Sequence, residues 1–168
     1  MNIIVLANTS KFPYHTKVAK ALETIISSNG PNAQIIDITT KTSLSDLSIQ
    51  LSALSPETVI TLDLAGFEFR TLTGECFLNT LPCKICNIIW GDKTEYKDYL
   101  SGKLSLSMLF YDATANDNQL SVKYPYLRYY YPTIRAIPTI CSNNNDPLPQ
   151  TYETLQDVWM HFIREVLP

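Results

Sequence analysis

The chain has 168 residues, close to the size of one ordinary domain and long enough to bury a core without disulfides or metal. Hydrophobic residues make up 45% and charged residues 17%, a balance that excludes a disordered chain. Lys and Arg number 13 against 16 Asp and Glu, and the resulting charge of -3 leaves no basic field to hold nucleic acid or an anionic membrane.

The first residues, Met1 to Ala7, are apolar and give way to Asn8, Thr9, Ser10 and Lys11. They carry no basic leader, and no run reaches the roughly 18 apolar residues of a bilayer span, so a cytoplasmic protein without a membrane span is expected. Cys76, Cys83, Cys86 and Cys141 are compatible with free thiols in a reducing compartment.

In chain order, the continuous apolar run in Asn2 to Ala7 predicts a strand covered on both faces. From Tyr14, the residues Val18, Ala21, Leu22, Ile25 and Ile26 recur at helical spacing, and Gly30 in the left-handed position followed by Pro31 supplies the stop. Gln34 to Thr39 is β-branched and short, a second strand. Ser43 caps a second helix with Asp46 turned back toward it, and Leu44, Leu47, Leu51 and Leu54 form its buried stripe. Thr58 to Leu64, Ile85 to Trp90 and Leu104 to Tyr111 are the third, fourth and fifth strands. Thr151 opens a last helix, with Leu155, Val158, Trp159 and Phe162 on its packed side. Alternating strands and helices imply right-handed crossovers. The expected fold is a doubly wound α/β sandwich, Rossmann-like or flavodoxin-like: one domain over residues 1–168, with a mainly parallel five-stranded sheet and helices on both faces. Residues 112–150, rich in Asn, Asp, Pro and Tyr, form an irregular excursion too long for a simple connection.

In open parallel sheets, ligands bind beyond the carboxyl ends of the strands. That rule selects Asn8, Thr9 and Ser10 after strand one, Gly66 and Glu68 after strand three, Asp92 beside Gly91 and Lys93 after strand four, and Asp112 after strand five. Asp63, inside strand three, is an acid whose burial needs an explanation. Asp92 and Asp112 taken singly read first as turn residues. Acid–base chemistry can draw on Glu68, Asp63 and Asp92, and His15, in the first turn of helix one, is the better-placed histidine. His161 reads as an edge-of-core residue. The loop after strand one lacks the glycines of a phosphate cradle, and Thr9, Ser10 and Thr16 read as helix-capping residues, so no cofactor is expected. Cys83 and Cys86 form a C-x-x-C that enters a strand rather than a helix, and no further ligand pair completes a zinc site, so ordinary buried thiols and no metal are expected. The segment from Tyr124 to Pro132 holds five of the ten tyrosines. Its rings, among them Tyr129 and Tyr130, suit stacking on a sugar or a protein partner, or packing inward to anchor the excursion.

The layout from Asp63-Leu64-Ala65-Gly66-Phe67-Glu68-Phe69-Arg70-Thr71 through Leu81-Pro82-Cys83-Lys84 to Leu104–Asp112 resembles the N-terminal half of a GT-B glycosyltransferase. The resemblance covers residues 1–112 and matches no signature residue by residue. It implies an acceptor-side domain, non-catalytic or one subunit of a split enzyme. Glu68 and His15 would line the cleft, a sugar or sugar-nucleotide would be the ligand, and a second transferase subunit or another copy the partner. The other expectation is a non-enzymatic flavodoxin-like or receiver-like module that binds a small ligand or a protein.

Overall fold

A computed structural model describes residues 1–89, 97–100, 104, 108–112, 124, 127–130 and 149–166. The strands are β1 (Asn2–Ala7), β2 (Asn32–Asp37), β3 (Thr58–Leu62), β4 (Lys84–Ile89), β5 (Leu109–Asp112) and β6 (Arg128–Tyr130). The helices are α1 (His15–Ser28), α2 (Leu44–Leu54), the single turn α3 (Lys97–Leu100) and α4 (Pro149–Val166), with a 3-10 turn at Phe77–Thr80.

All six strands form one parallel sheet in the order β2-β1-β3-β4-β5-β6. The first five follow the flavodoxin-like order rather than the 3-2-1-4-5-6 of dinucleotide-binding domains. The step from β1 to β2 runs one way across the sheet and every later step runs the other. Right-handed crossovers therefore place α1 on one face and α2 with the 3-10 turn on the opposite one.

Alternation along the strands divides the core in the same way. Ile4, Leu6, Val59, Ile85, Ile89 and Phe110 face a cluster closed by Leu47 and Leu51 of α2 and by Phe67, Phe77 and Leu78. Ile3, Val5, Ile60, Cys86, Ile88 and Tyr111 face the second cluster, closed by Val18, Leu22, Ile25 and Ile26 of α1 and by Leu155, Val158, Trp159 and Phe162 of α4. This is the expected three-layer α/β sandwich.

Several boundaries differ from expectation. The sheet has six strands rather than five, because Arg128–Tyr130 inside the Tyr-rich excursion pairs with β5, Tyr129 opposite Phe110 and Tyr130 opposite Tyr111. β2 begins and ends two residues earlier than its apolar run, so Asp37 closes the strand. β3 stops at Leu62, since Asp63 and Leu64 turn into the left-handed region with φ of 45° and 58°. β5 runs over Leu109–Asp112, starting later than expected and ending one residue beyond Tyr111, and Leu104 is a buried residue outside it. α4 starts at Pro149, ahead of Thr151. Among the described residues, no helix is long and apolar enough to cross a membrane.

Candidate functional site

The reversal of chain direction across the sheet falls between β1 and β3, which makes the carboxyl ends of these strands the switch point where open α/β sheets bind ligands. After β1 the chain makes a tight loop: the Phe12 amide donates to the Asn8 carbonyl at 2.9 Å, and the Lys11 amide to Asn8 Oδ1 at 2.8 Å. α1 then begins at His15, whose imidazole is fully buried.

His15 Nδ1 accepts the Asn8 amide at 2.9 Å, which fixes the ring proton on Nε2. Nε2 in turn donates to Asp63 Oδ2 at 2.9 Å, both side chains having no exposed surface. The Tyr14 hydroxyl donates to the same carboxylate oxygen. This explains how a chain can bury Asp63: each donor to a carboxylate is worth about 1.5–3 kcal/mol, enough to offset part of the desolvation. The same bonds offset the backbone conformation. A left-handed non-glycine residue costs roughly 1–2 kcal/mol, and Asp63 and Leu64 adopt it in succession. Asp63 itself is anchored to the sheet by its amide, which donates to the Ile88 carbonyl at 2.8 Å.

Phe12 packs on this cluster, its ring centroid 4.9 Å from that of His15 and 5.7 Å from that of Tyr14, with Lys11 Nζ 5.2 Å above its face. Phe12 and Tyr14 are half-buried, so the cluster meets solvent through two aromatic rings.

The remaining loop groups are turned to structural use. Thr9 donates its amide at 2.9 Å and its hydroxyl to Asp37 at the end of β2. The expectation that Thr9, Ser10 and Thr16 cap α1 is therefore corrected: the N-cap is Tyr14, in helical conformation, and no side chain caps the helix. Since the amides of Asn8, Thr9, Lys11 and Phe12 are all consumed within the protein, this loop presents no cradle of free donors to a phosphate.

The other selected residues are spread along the sheet edge. Glu68 is exposed, and its carboxylate accepts the Gly66 amide at 2.8 Å. Gly66 has φ of +93°, and a Cβ there would stand 3.1 Å from Leu6 Cδ1, so this turn lies on the face that carries α2. Its exposed carboxylate and the sealed imidazole of His15, on the α1 side, form no mutual hydrogen bond. Ser10 is exposed beside Thr9. Asp112 ends β5, two strands from β3 and about 10 Å away by strand spacing; its side chain lies outside the description. Asp92, with Gly91 and Lys93, lies outside the described residues.

Tyr129 and Tyr130 belong to β6, four strand intervals from β1, about 19 Å. Both are half-buried: Tyr129 packs on Phe110 with centroids 5.7 Å apart, and Tyr130 stacks on His161 at 3.7 Å and donates to Asp157 at 3.0 Å. His161 Nδ1 lies 3.1 Å from the Tyr111 hydroxyl, whose pKa burial pushes far above the usual phenol value. These tyrosines anchor the outer strand to β5 and α4.

The C-x-x-C thiols point to opposite faces, Cys83 against the α2-side cluster and Cys86 inside the α1-side cluster. Burial pushes Cys83 up to about 11 and raises Cys86 well above the ordinary thiol value, away from thiolate reactivity. Among the described residues, no group of His, Cys, Asp and Glu is arranged to hold a metal ion.

Sequence reasoning singled out His15 and Asp63 but missed their partner Tyr14 and the acid Asp37. The signal for Asp37 was blurred by placing β2 two residues late, which hid it inside a strand. Fold and site together define an all-parallel α/β sandwich of flavodoxin-like strand order whose switch point carries a Tyr–Asp–His cluster with the aspartate and histidine buried. Compared with known proteins, the chain matches no family model, no curated protein and no solved structure.

Proposed function

We propose that this chain is a binding module, not a free-standing catalyst, and that its ligand or partner docks at the carboxyl ends of β1 and β3, over Phe12 and Tyr14. The observation that carries this reading is the sealed hydrogen-bond network of Asn8, His15, Asp63 and Tyr14 at the switch point. It closes the floor of the docking place, while the imidazole, with both nitrogens engaged, has no role left as a general base. Phe12 and Tyr14 offer aromatic surface, and Ser10 and Lys11 offer polar groups at the rim.

The layout likeness to the acceptor-side half of a glycosyltransferase favours sugars or sugar-nucleotides as ligands and a second subunit as partner. Catalysis by Glu68 with His15 would require both to face one cleft, and the burial of His15 weighs against it. The consumed loop amides weigh against a phosphate-anchored flavin.

Amide chemical shifts of the labelled protein, followed during titration with UDP-glucose, a malto-oligosaccharide and FMN, test the reading. Perturbations confined to residues 8–16 and 63–70 with either carbohydrate probe support it. Perturbations centred elsewhere, or none with all three, overturn it for these ligand classes.

A further inference from the structure

We propose that Tyr14, Asp63 and His15 form a latch that holds the exit turn of β3 in a strained closed form, poised to open when Tyr14 leaves Asp63. The latch is a property of the free chain and stands whether or not the switch point binds a ligand. Two features on adjacent residues carry it. Asp63 and Leu64 are both held at positive φ, and the carboxylate of the first is gripped by donors from the opposite side of the crevice.

The closed turn is a short relay of local bonds. The Ala65 amide donates to Leu62 at 3.0 Å, Phe67 to Leu64 at 3.0 Å and Phe69 to Gly66 at 3.3 Å, and the Gly66 amide is taken by Glu68. The Ala65 bond spans Asp63 and Leu64 and requires the reversal there, so relaxing φ at these residues breaks it and swings the turn beyond, while the ladder of β3 with β1 and β4 is left intact. His15 and Asp63 are sealed, and Tyr14 is the one member of the three that reaches solvent. Whatever docks at the crevice therefore reaches the latch through Tyr14, and opening it moves Glu68 and the turn over Leu6 and Ile38.

Hydrogen exchange of the Ala65 amide, whose bond to Leu62 crosses the reversal, reads the latch directly, with the amides of Val5 and Ile60 as internal reference for global unfolding. In Tyr14→Phe the Ala65 amide should exchange at least about tenfold faster than in the parent, with the reference amides unchanged. Asp63→Ala, which loses the carboxylate and keeps the strain, should exchange faster than Asp63→Gly, which loses the carboxylate and accepts φ of 45° freely. Exchange in Tyr14→Phe at parental rates, or equal rates in the Ala and Gly variants, overturns the latch. The Tyr14→Phe arm keeps the test decisive if the Asp63 variants do not fold.

Discussion

Thr61 and Asn87 sit side by side on the two central strands with no exposed surface. The threonine hydroxyl donates to Asn87 Oδ1 at 2.7 Å, and the Asn87 amide nitrogen lies 3.3 Å from the Leu109 carbonyl, so one polar pair links β3, β4 and β5 inside an apolar layer. Thr61→Val leaves the Asn87 oxygen buried without its donor and should cost about 1–3 kcal/mol in urea unfolding. Adding Asn87→Leu should recover part of that loss, because a pair removed together strands fewer groups than a pair cut in half. Strictly additive costs would refute the coupling. At this scale the sequence was informative about individuals and silent about pairs. A buried aspartate after an apolar strand announces that donors must exist, but Tyr14 is 49 positions away and nothing local marks its hydroxyl as the donor. Asn87 likewise reads as one polar residue in an apolar run.

Helix α2 shows how far an element can be read directly. Ser43 Oγ accepts the Asp46 amide at 3.1 Å and the Asp46 carboxylate accepts the Ser43 amide at 3.0 Å, the reciprocal box expected from the residue spacing. Ser43 holds the Asp46 carboxyl below its ordinary value of 3.8. A carboxyl lowered on folding stabilises above its unfolded pKa, and the contribution fades as pH falls through the lower folded value. Ser43→Ala should destabilise by about 1 kcal/mol at neutral pH, with the difference from the parent shrinking in acid; a pH-independent difference in thermal melts would contradict the box. The boundaries of β1, α1 and α2 were legible because their apolar spacing is dense and their stops are chemical. β6 was not. Three residues, Arg128 to Tyr130, give no periodicity to count. Their strand conformation depends on β5 and on contacts across α4, where Arg128 pairs with Glu165 at 3.1 Å and Tyr130 stacks on His161. The β3 exit was misjudged for a related reason: Asp63 and Leu64 have strand-like neighbours, and the reversal is imposed by tertiary hydrogen bonds rather than by a glycine.

Among the described residues, no two strands of the sheet are joined by a hairpin, since all six pair in parallel. Within this sheet even the closest strand pairing in sequence, Leu109 opposite Arg128, joins residues 19 positions apart (128 − 109), and β1 with β3 spans far more. Such a sheet is closed only by long loops, so its folding should be slow for a chain of this size. α4 adds a last dependency. Trp159 is buried to 1% exposure in the cluster it shares with Val18, Leu22 and Ile25 of α1, and its indole N–H has no hydrogen-bond partner among the described residues. Trp159→Phe removes that unpaired donor along with part of a buried ring, so it should cost less than the roughly 3–5 kcal/mol of a Trp→Ala change, as measured by chemical denaturation. A cost equal to that of Trp159→Ala would mean that packing alone accounts for the residue. The placement of this indole also has a temporal meaning. Until residues 149–166 leave the ribosome, the nascent chain can arrange β1, β2, β3 and β4 yet lacks the Leu155, Val158, Trp159 and Phe162 side chains that complete the cluster on the α1 face, which leaves that apolar layer unfinished for as long as synthesis lasts.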